Sequence, residues 1–177
     1  MAQENQLAKD IKARAQLTGT FTLRSGKTSD TYFDKYLFES DPVLLKQIAE
    51  AMAALLPDNT EAVAGLEMGG IPVVSVLSQV TGLPAAFIRK EAKAYGTCKY
   101  AEGVDLVGRR VVLVEDVVSS GGAILDALTK LRTDGIDPVC AVCVIDRQTG
   151  GAEALLSEGL ELRSVLTMQD ILNVSEK

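Results

Sequence analysis

The chain has 177 residues, 47% hydrophobic and 24% charged, the mix of a single globular domain with room for a full core rather than of a disordered chain. Its 24 acids against 18 bases give a formal charge of -6, which disfavours a surface that coats DNA or RNA but leaves room for a local basic site. The absence of histidine removes Ser-His-Asp and Cys-His nucleophile systems, histidine general bases and histidine-ligated zinc together.

Leu7, Ile11 and Ala15 recur at helical spacing and predict a first helix over 3–17, ended by Thr18-Gly19. This polar N-terminus carries no signal-type apolar core. Residues 21–24 and 31–38 read as two strands around the polar turn 25–30. Gly26-Lys27-Thr28 in that turn is a decoy for a phosphate-binding P-loop: the first glycine of that motif would fall at Phe21, and the segment opens no helix. Asp41-Pro42 has the form of an N-cap followed by proline in the first helical turn, and Leu44, Leu45, Ile48, Met52 and Leu55 continue a helix that stops near Pro57.

From there strands and helices alternate. Strand 62–66 leads through a glycine turn to helix 72–80; strand 84–88 leads into a polar stretch over 89–108. Strand 110–114 precedes a helix marked by Ile124, Leu125, Leu128 and Leu131; strand 139–145, a short helix over 151–159 and strand 162–166 follow. The strands are unbroken apolar runs, the pattern of a parallel sheet buried on both faces, and the alternation predicts an α/β fold with right-handed crossovers. The longest apolar run, Val139–Ile145, is far too short to span a membrane. Residues 1–40 stand outside the alternation and are expected to form a cap over a core of residues 41–177. Three cysteines, Cys98, Cys140 and Cys143, make no disulfide framework. A redox C-x-x-C opens a helix, whereas Cys140 and Cys143 lie inside a strand-like run, and a zinc site would need two more soft ligands when only Cys98 remains. Both are read as strand residues, and a cytoplasmic protein follows as the default.

In open parallel sheets ligands bind beyond the carboxyl ends of the strands. Four strands here run into unusual residues: Glu67-Met68-Gly69-Gly70, Arg89-Lys90, Glu115-Asp116 and Asp146-Arg147. The most informative segment is 111–125, a buried strand, two acids, then a short loop of small residues opening a helix. Successive amides at a helix start make an anion cradle; Gly121 and Gly122 permit close approach, and Ser119 and Ser120 add hydroxyl donors. Two acids beside it cannot bind phosphate but suit ribose hydroxyls or the hydration shell of Mg²⁺. A plain strand-to-helix turn with a serine cap leaves the Glu115-Asp116 pair unexplained.

Segment 111–125 resembles the phosphoribosyl-pyrophosphate (PRPP) motif of the type I phosphoribosyltransferases. The resemblance implies that family's Rossmann-like fold, a mostly parallel sheet flanked by helices under a small N-terminal hood. It implies that Val117, Val118, Ser119, Ser120, Gly121, Gly122 and Ala123 hold the 5′-phosphate, with Glu115 and Asp116 facing the ribose and Mg²⁺ carried in by PRPP near these acids without direct protein ligands. Segment 89–99 has four cations against one acid. Its Arg89-Lys90-Glu91-Ala92-Lys93-Ala94-Tyr95-Gly96 is similar to the mobile catalytic loop of orotate phosphoribosyltransferases, which implies a loop over 89–108 reaching across a homodimer. Arg89, Lys90 and Lys93 would clamp the departing pyrophosphate. Tyr95 stands where that family has histidine; a neutral tyrosine donates one hydrogen bond and carries no charge. Residues 65–72 resemble the pyrophosphate loop, with Gly69 and Gly70 at the leaving group and a non-proline cis peptide implied nearby. Segment 21–34 is similar to the substrate segment of orotate phosphoribosyltransferases, placing Arg24, Tyr32 and Phe33 near orotate with Ser119. Arg147, in the 145–148 turn, supplies a guanidinium fork for the orotate carboxylate. Taken alone, Arg147 would pair with Asp146 on the surface. The resemblance implies an enzyme that moves ribose 5-phosphate from PRPP to N1 of orotate. A phosphoribosyltransferase for another base, and a non-catalytic PRPP sensor on the same fold, are the alternatives.

Overall fold

The computed structural model describes residues 2–22, 26–94, 96 and 99–174. Helix α1 (Ala2–Ala15) is followed by an antiparallel ribbon of β1 (Gln16–Thr22) and β2 (Thr28–Phe33). Two helices come next, α2 (Lys35–Glu39) and α3 (Pro42–Ala53), and then the alternating part: β3 (Ala62–Leu66), α4 (Gly70–Thr81), β4 (Ala85–Ile88), β5 (Ala101–Gly103), β6 (Val111–Val118), α5 (Gly122–Thr133), β7 (Cys140–Asp146), α6 (Gly151–Ser157), β8 (Leu162–Thr167) and α7 (Met168–Leu172). The central sheet has the order β5-β4-β3-β6-β7-β8, parallel throughout except for β5. This is the mostly parallel α/β architecture that the strand pattern predicts.

Two apolar layers enclose the sheet. On one face Ile11 of α1, Ile48 and Met52 of α3, and Val73 and Leu77 of α4 pack with Val112 and Val114. On the other, Ile124, Leu128 and Leu131 of α5 and Leu155 of α6 pack with Leu113, Ala141 and Cys143. The strand pleat sends successive side chains to opposite faces, so Cys140 joins the first layer and Cys143 the second. Both thiols are free and buried, and burial pushes their pKa values up, the reverse of what a reactive thiolate needs. Cys98 lies outside the described residues. The ribbon β1–β2 stands apart from the central sheet, whereas α1 packs against α2, α3 and α7.

Several boundaries differ from the sequence reading, each for a physical reason. Gly19 lies inside β1 and terminates nothing. The strand expected over 31–38 stops at Phe33, because the Asp34 carboxylate accepts the Tyr36 N–H at 3.1 Å and starts α2, whose turn carries Phe38 and Glu39 inward. The polar stretch 89–108 contains β5, which pairs antiparallel with β4 and covers its edge. The strand expected to end at Val114 runs on to Val118, so Glu115 and Asp116 lie within β6 rather than after it. Helix α7 was not anticipated; Thr167 and Asp170 close a capping box at its start. The Asp41 cap holds as read, its carboxylate accepting from Val43 and Leu44 amides at 3.1 Å each. Among the described residues no helix is long and apolar enough to cross a membrane.

Met52 is fully buried between α3 and the sheet, whereas Val43 on the same helix is 68% exposed. Met52→Ala should lower the unfolding free energy in urea by about 2–5 kcal/mol. Val43→Ala should change it by less than about 0.5 kcal/mol.

Candidate active site

The carboxyl ends of β3, β4, β6 and β7 lie along one edge of the sheet, and residues 67–70, Arg89-Lys90, residues 119–122 and Arg147 follow them there. At the end of β6 the chain turns through Ser119 and Ser120 into Gly121, whose φ of 77° is the left-handed conformation that glycine adopts at little cost. Helix α5 starts without a side-chain cap, and its first bond is Leu125 N–H to Gly121 O at 3.0 Å. The amides of Ser120 to Ile124 therefore donate to no acceptor among the described residues. They border a cavity of about 180 Å³ lined by Glu115 and residues 117–124. Small size, open amides and a helix N-terminus together make an anion seat. Gly151 packs against the Ser119 carbonyl and Val118 from behind, where a Cβ would not fit.

The two acids diverge. Glu115 lines that cavity, while Asp116, the next residue of the pleat, points to the opposite side of β6 toward α2 and the loop after β3. Asp116 has no exposed surface; its Oδ2 lies 2.5 Å from Lys35 Nζ, and its Oδ1 accepts the Val117 N–H at 2.5 Å. Its own N–H donates to Glu115 Oε1 at 3.0 Å. Burial opposes ionisation of Asp116, but its contacts with Glu39, Glu115 and Lys35 outweigh that and hold its pKa below the usual range. Burial, followed by the Asp116 charge, raises Glu115 well above the ordinary carboxylate value and pushes Glu39 up to about 9. At neutral pH one anion, Asp116, thus faces one cation, Lys35, beside the protonated Glu39, while burial and the Asp116 charge shift Glu115 toward its protonated form.

The loop after β3 has a cis peptide at Glu67–Met68 and then Gly69 and Gly70. A Cβ on Gly69 would enter the Asp116 carboxylate, and one on Gly70 would meet the Val114 carbonyl, so only glycine lets this loop close on β6. Glu67 bridges to the next strand end, its Oε1 accepting the Lys90 N–H at 2.6 Å.

The basic segment is held by ion pairs and backbone bonds. Lys93 Nζ lies 2.5 Å from Glu102 Oε1 on β5, and Glu102 is held below its ordinary pKa by that ammonium. Arg89 donates through Nε to Glu91 O at 3.3 Å, and Lys130 Nζ on α5 donates to Lys90 O at 2.8 Å. Tyr95 lies outside the described residues. A larger cavity of about 670 Å³ opens between this segment and α5, bordered by Lys90, Lys99, Tyr100, Leu106, Lys130 and Ile136 among others. Its lysines are matched by Glu91, Asp105 and Asp134, and it includes no residue of the phosphate turn.

Arg147 is exposed, its N–H bound to Val118 O at 2.8 Å, and it has no ion-pair partner among the described residues. Asp146 instead accepts the Gln148 N–H at 2.8 Å, and Gln148 takes a φ of 55°, rare for a non-glycine residue. The surface pairing of Arg147 with Asp146 is therefore absent. Tyr32 is 43% exposed and stacks on Phe21, with ring centroids 5.5 Å apart. Phe33 faces the other way, toward Phe38 at 6.3 Å. Arg24 lies outside the described residues. Sequence reasoning missed Lys35, Glu39 and Glu102, and it singled out Glu67 only as part of the 67–70 loop. The only visible signal was the four-residue spacing of Lys35 and Glu39, hidden because that stretch reads as a strand.

The chain matches the model of the phosphoribosyl transferase domain over residues 38–157. It is 52% identical over 171 residues to an orotate phosphoribosyltransferase of Nocardioides sp., covering 97% of this chain and 96% of the relative. The crystal structure of Mycobacterium tuberculosis orotate phosphoribosyltransferase in complex with inorganic phosphate superposes with a TM-score of 0.86 at 30% identity, over 97% of this chain and 99% of that one. The same enzyme in complex with PRPP gives a TM-score of 0.82 at 30% identity, over 96% and 98%. With most of its length matched by the family model and half its residues shared with a full-length relative, this chain belongs to the orotate phosphoribosyltransferases of the phosphoribosyl transferase family.

Proposed function

We propose that the chain transfers ribose 5-phosphate from Mg²⁺-PRPP to N1 of orotate, yielding orotidine 5′-monophosphate and pyrophosphate in de novo pyrimidine biosynthesis. The observation that carries this reading is the open amide turn of Ser120–Ile124 at the end of the strand that holds Glu115 and Asp116. The 5′-phosphate takes those amides and the Ser119 and Ser120 hydroxyls. The ribose hydroxyls lie near Glu115, which borders the cavity, and near Asp116 behind it. Pyrophosphate rests against Gly69 and Gly70.

Among the described residues no group of three or more His, Cys, Asp or Glu is placed to hold a metal, and the ionised acid is already paired with a lysine. Mg²⁺ arrives as part of the PRPP substrate, its charge offsetting that of the pyrophosphate.

Orotate stands against Arg147 and Ser119, with exposed Tyr32 offering an aromatic surface and Phe33 anchoring the ribbon to the core through Phe38; Arg24 belongs to the same hood. Orotate N1–H is acidic, so the anion forms without a strong base on the protein. Its N1 lone pair forms the bond to C1′ as the C1′–O bond to pyrophosphate breaks, through a sugar with oxocarbenium character. The protein aligns the partners and neutralises the leaving group. Arg89, Lys90 and Lys93 supply that neutralisation once Lys93 exchanges Glu102 for pyrophosphate, with Tyr95 beside them. Closure of 89–108 over the site excludes water and protects PRPP from hydrolysis. Sharing of this segment across a homodimer, and residence in a cytoplasm that keeps Cys140 and Cys143 reduced, complete the proposal.

With Mg²⁺-PRPP, the purified chain should consume orotate, read as loss of its ultraviolet absorbance, and leave adenine, hypoxanthine and uracil untouched. Turnover of a purine in place of orotate would assign another base, and PRPP binding without turnover of any base would make the chain a sensor. Lys93→Ala should cut kcat by on the order of 10²-fold while the orotate Kd moves less than about threefold, since the lysine acts on charge that develops at the leaving group. Single-turnover kinetics and calorimetry separate the two effects, and an unchanged kcat removes Lys93 from the mechanism.

A further inference from the structure

Lys35 and Glu39 stand one helical turn apart on α2, and both turn inward to Asp116, although neither lies in a segment assigned to substrate above. The Asp116 carboxylate is held from three sides: Lys35 Nζ at Oδ2, the Val117 N–H at Oδ1, and the bare Cα of Gly69 beneath. Glu39 is 6% exposed, and neither of its oxygens accepts a hydrogen bond from any described donor. Two carboxyl groups share such a pocket only when one carries a proton. Glu39 is that one, burial and the Asp116 charge having raised its pKa, so it offers its O–H to Asp116. Glu115 from the same strand and Tyr36, whose ring centroid lies 5.3 Å from Lys35 Nζ, complete the titratable groups around the cluster.

We propose that Lys35 and Glu39 are positioning residues for Asp116, and that through them the hood sets the geometry of the ribose subsite. Helix α2 continues from β2 through Asp34 alone, so the ribbon that carries Tyr32 and Phe33 cannot shift far without drawing Lys35 from Asp116. The contact is not sealed: 34% of the Lys35 side chain stays accessible while Asp116 is covered to 1%. Removing the lysine would leave a buried anion without its cation, which destabilises the ionised form that the ribose requires. This inference rests on the reading that the cleft takes PRPP.

The test compares Lys35→Met and Lys35→Arg, and Glu39→Leu and Glu39→Gln, by steady-state kinetics in both substrates. Lys35→Met should raise KM for PRPP by about tenfold or more, with KM for orotate within about twofold, and Lys35→Arg should recover most of the lost kcat/KM. Glu39→Gln, which keeps a neutral donor toward Asp116, should lose less than Glu39→Leu. Equal KM values for PRPP in Lys35→Met and the parent chain, or a parallel rise in both KM values, overturn the proposal. If Lys35→Met does not fold by circular dichroism, Lys35→Gln is read in the same way. If the parent chain turns over no orotate, the functional reading fails on its own. The cluster is then judged by calorimetry with Mg²⁺-PRPP, where undiminished affinity in Lys35→Met overturns it and about tenfold weaker binding supports it.

Discussion

An ionised carboxylate with no exposed surface is expensive to keep in a protein interior unless charge and hydrogen bonds surround it. Asp116 is such a group, and much of the site is arranged around it. Lys35 provides the opposing charge, Glu39 and Glu115 are shifted toward their protonated forms, and Val117 donates its backbone N–H. The same carboxylate requires glycine at position 69, because any side chain there would occupy its space. The loop after β3, the hood helix and β6 are thereby brought to one point by a single side chain.

The cations of the site fall into two physical classes. Lys35 is paired with a buried acid, and breaking that pair would strand a charge in a poorly solvated place. Lys93 is paired with Glu102 where both side chains are more than a quarter exposed, and Lys130 pairs with Asp126 in a similar setting. Ion pairs of that kind contribute little to stability and are readily exchanged for another partner. The division separates a pair fixed by burial from pairs held by contacts that another anion can replace. Glu67, accepting from the Lys90 amide, ties the loop after β3 to the basic segment after β4.

The parts of the fold that reported themselves were those whose local physics matches their environment. Strand 62–66 is entirely apolar and entirely buried, and it falls on the expected residues. Asp41-Pro42 caps α3 as its chemistry requires. Where the reading failed, a long-range contact overrode the local pattern. Two acids in succession read as the end of a strand, yet β6 continues past them because β7 pairs with it as far as Asp146. Ala101–Gly103 has no strand pattern and is a strand only because β4 presents an edge. Leu37 and Phe38 extend an apolar strand signal that the Asp34 cap converts into a helix.

The site divides in the same way. The amide turn after β6, the glycine pair after β3, the basic run after β4 and the arginine after β7 were all readable, because each is a short stretch whose residue types admit few other uses. By itself the sequence therefore determined the sheet class and the strand ends after which these segments fall. Only the tertiary structure decided which way each acid points, which carboxyls keep their protons and which lysines are committed to a partner. Those properties depend on burial and on charges contributed by other elements, such as Lys35 lying 2.5 Å from Asp116 across more than eighty residues of chain, and no local stretch of sequence records them.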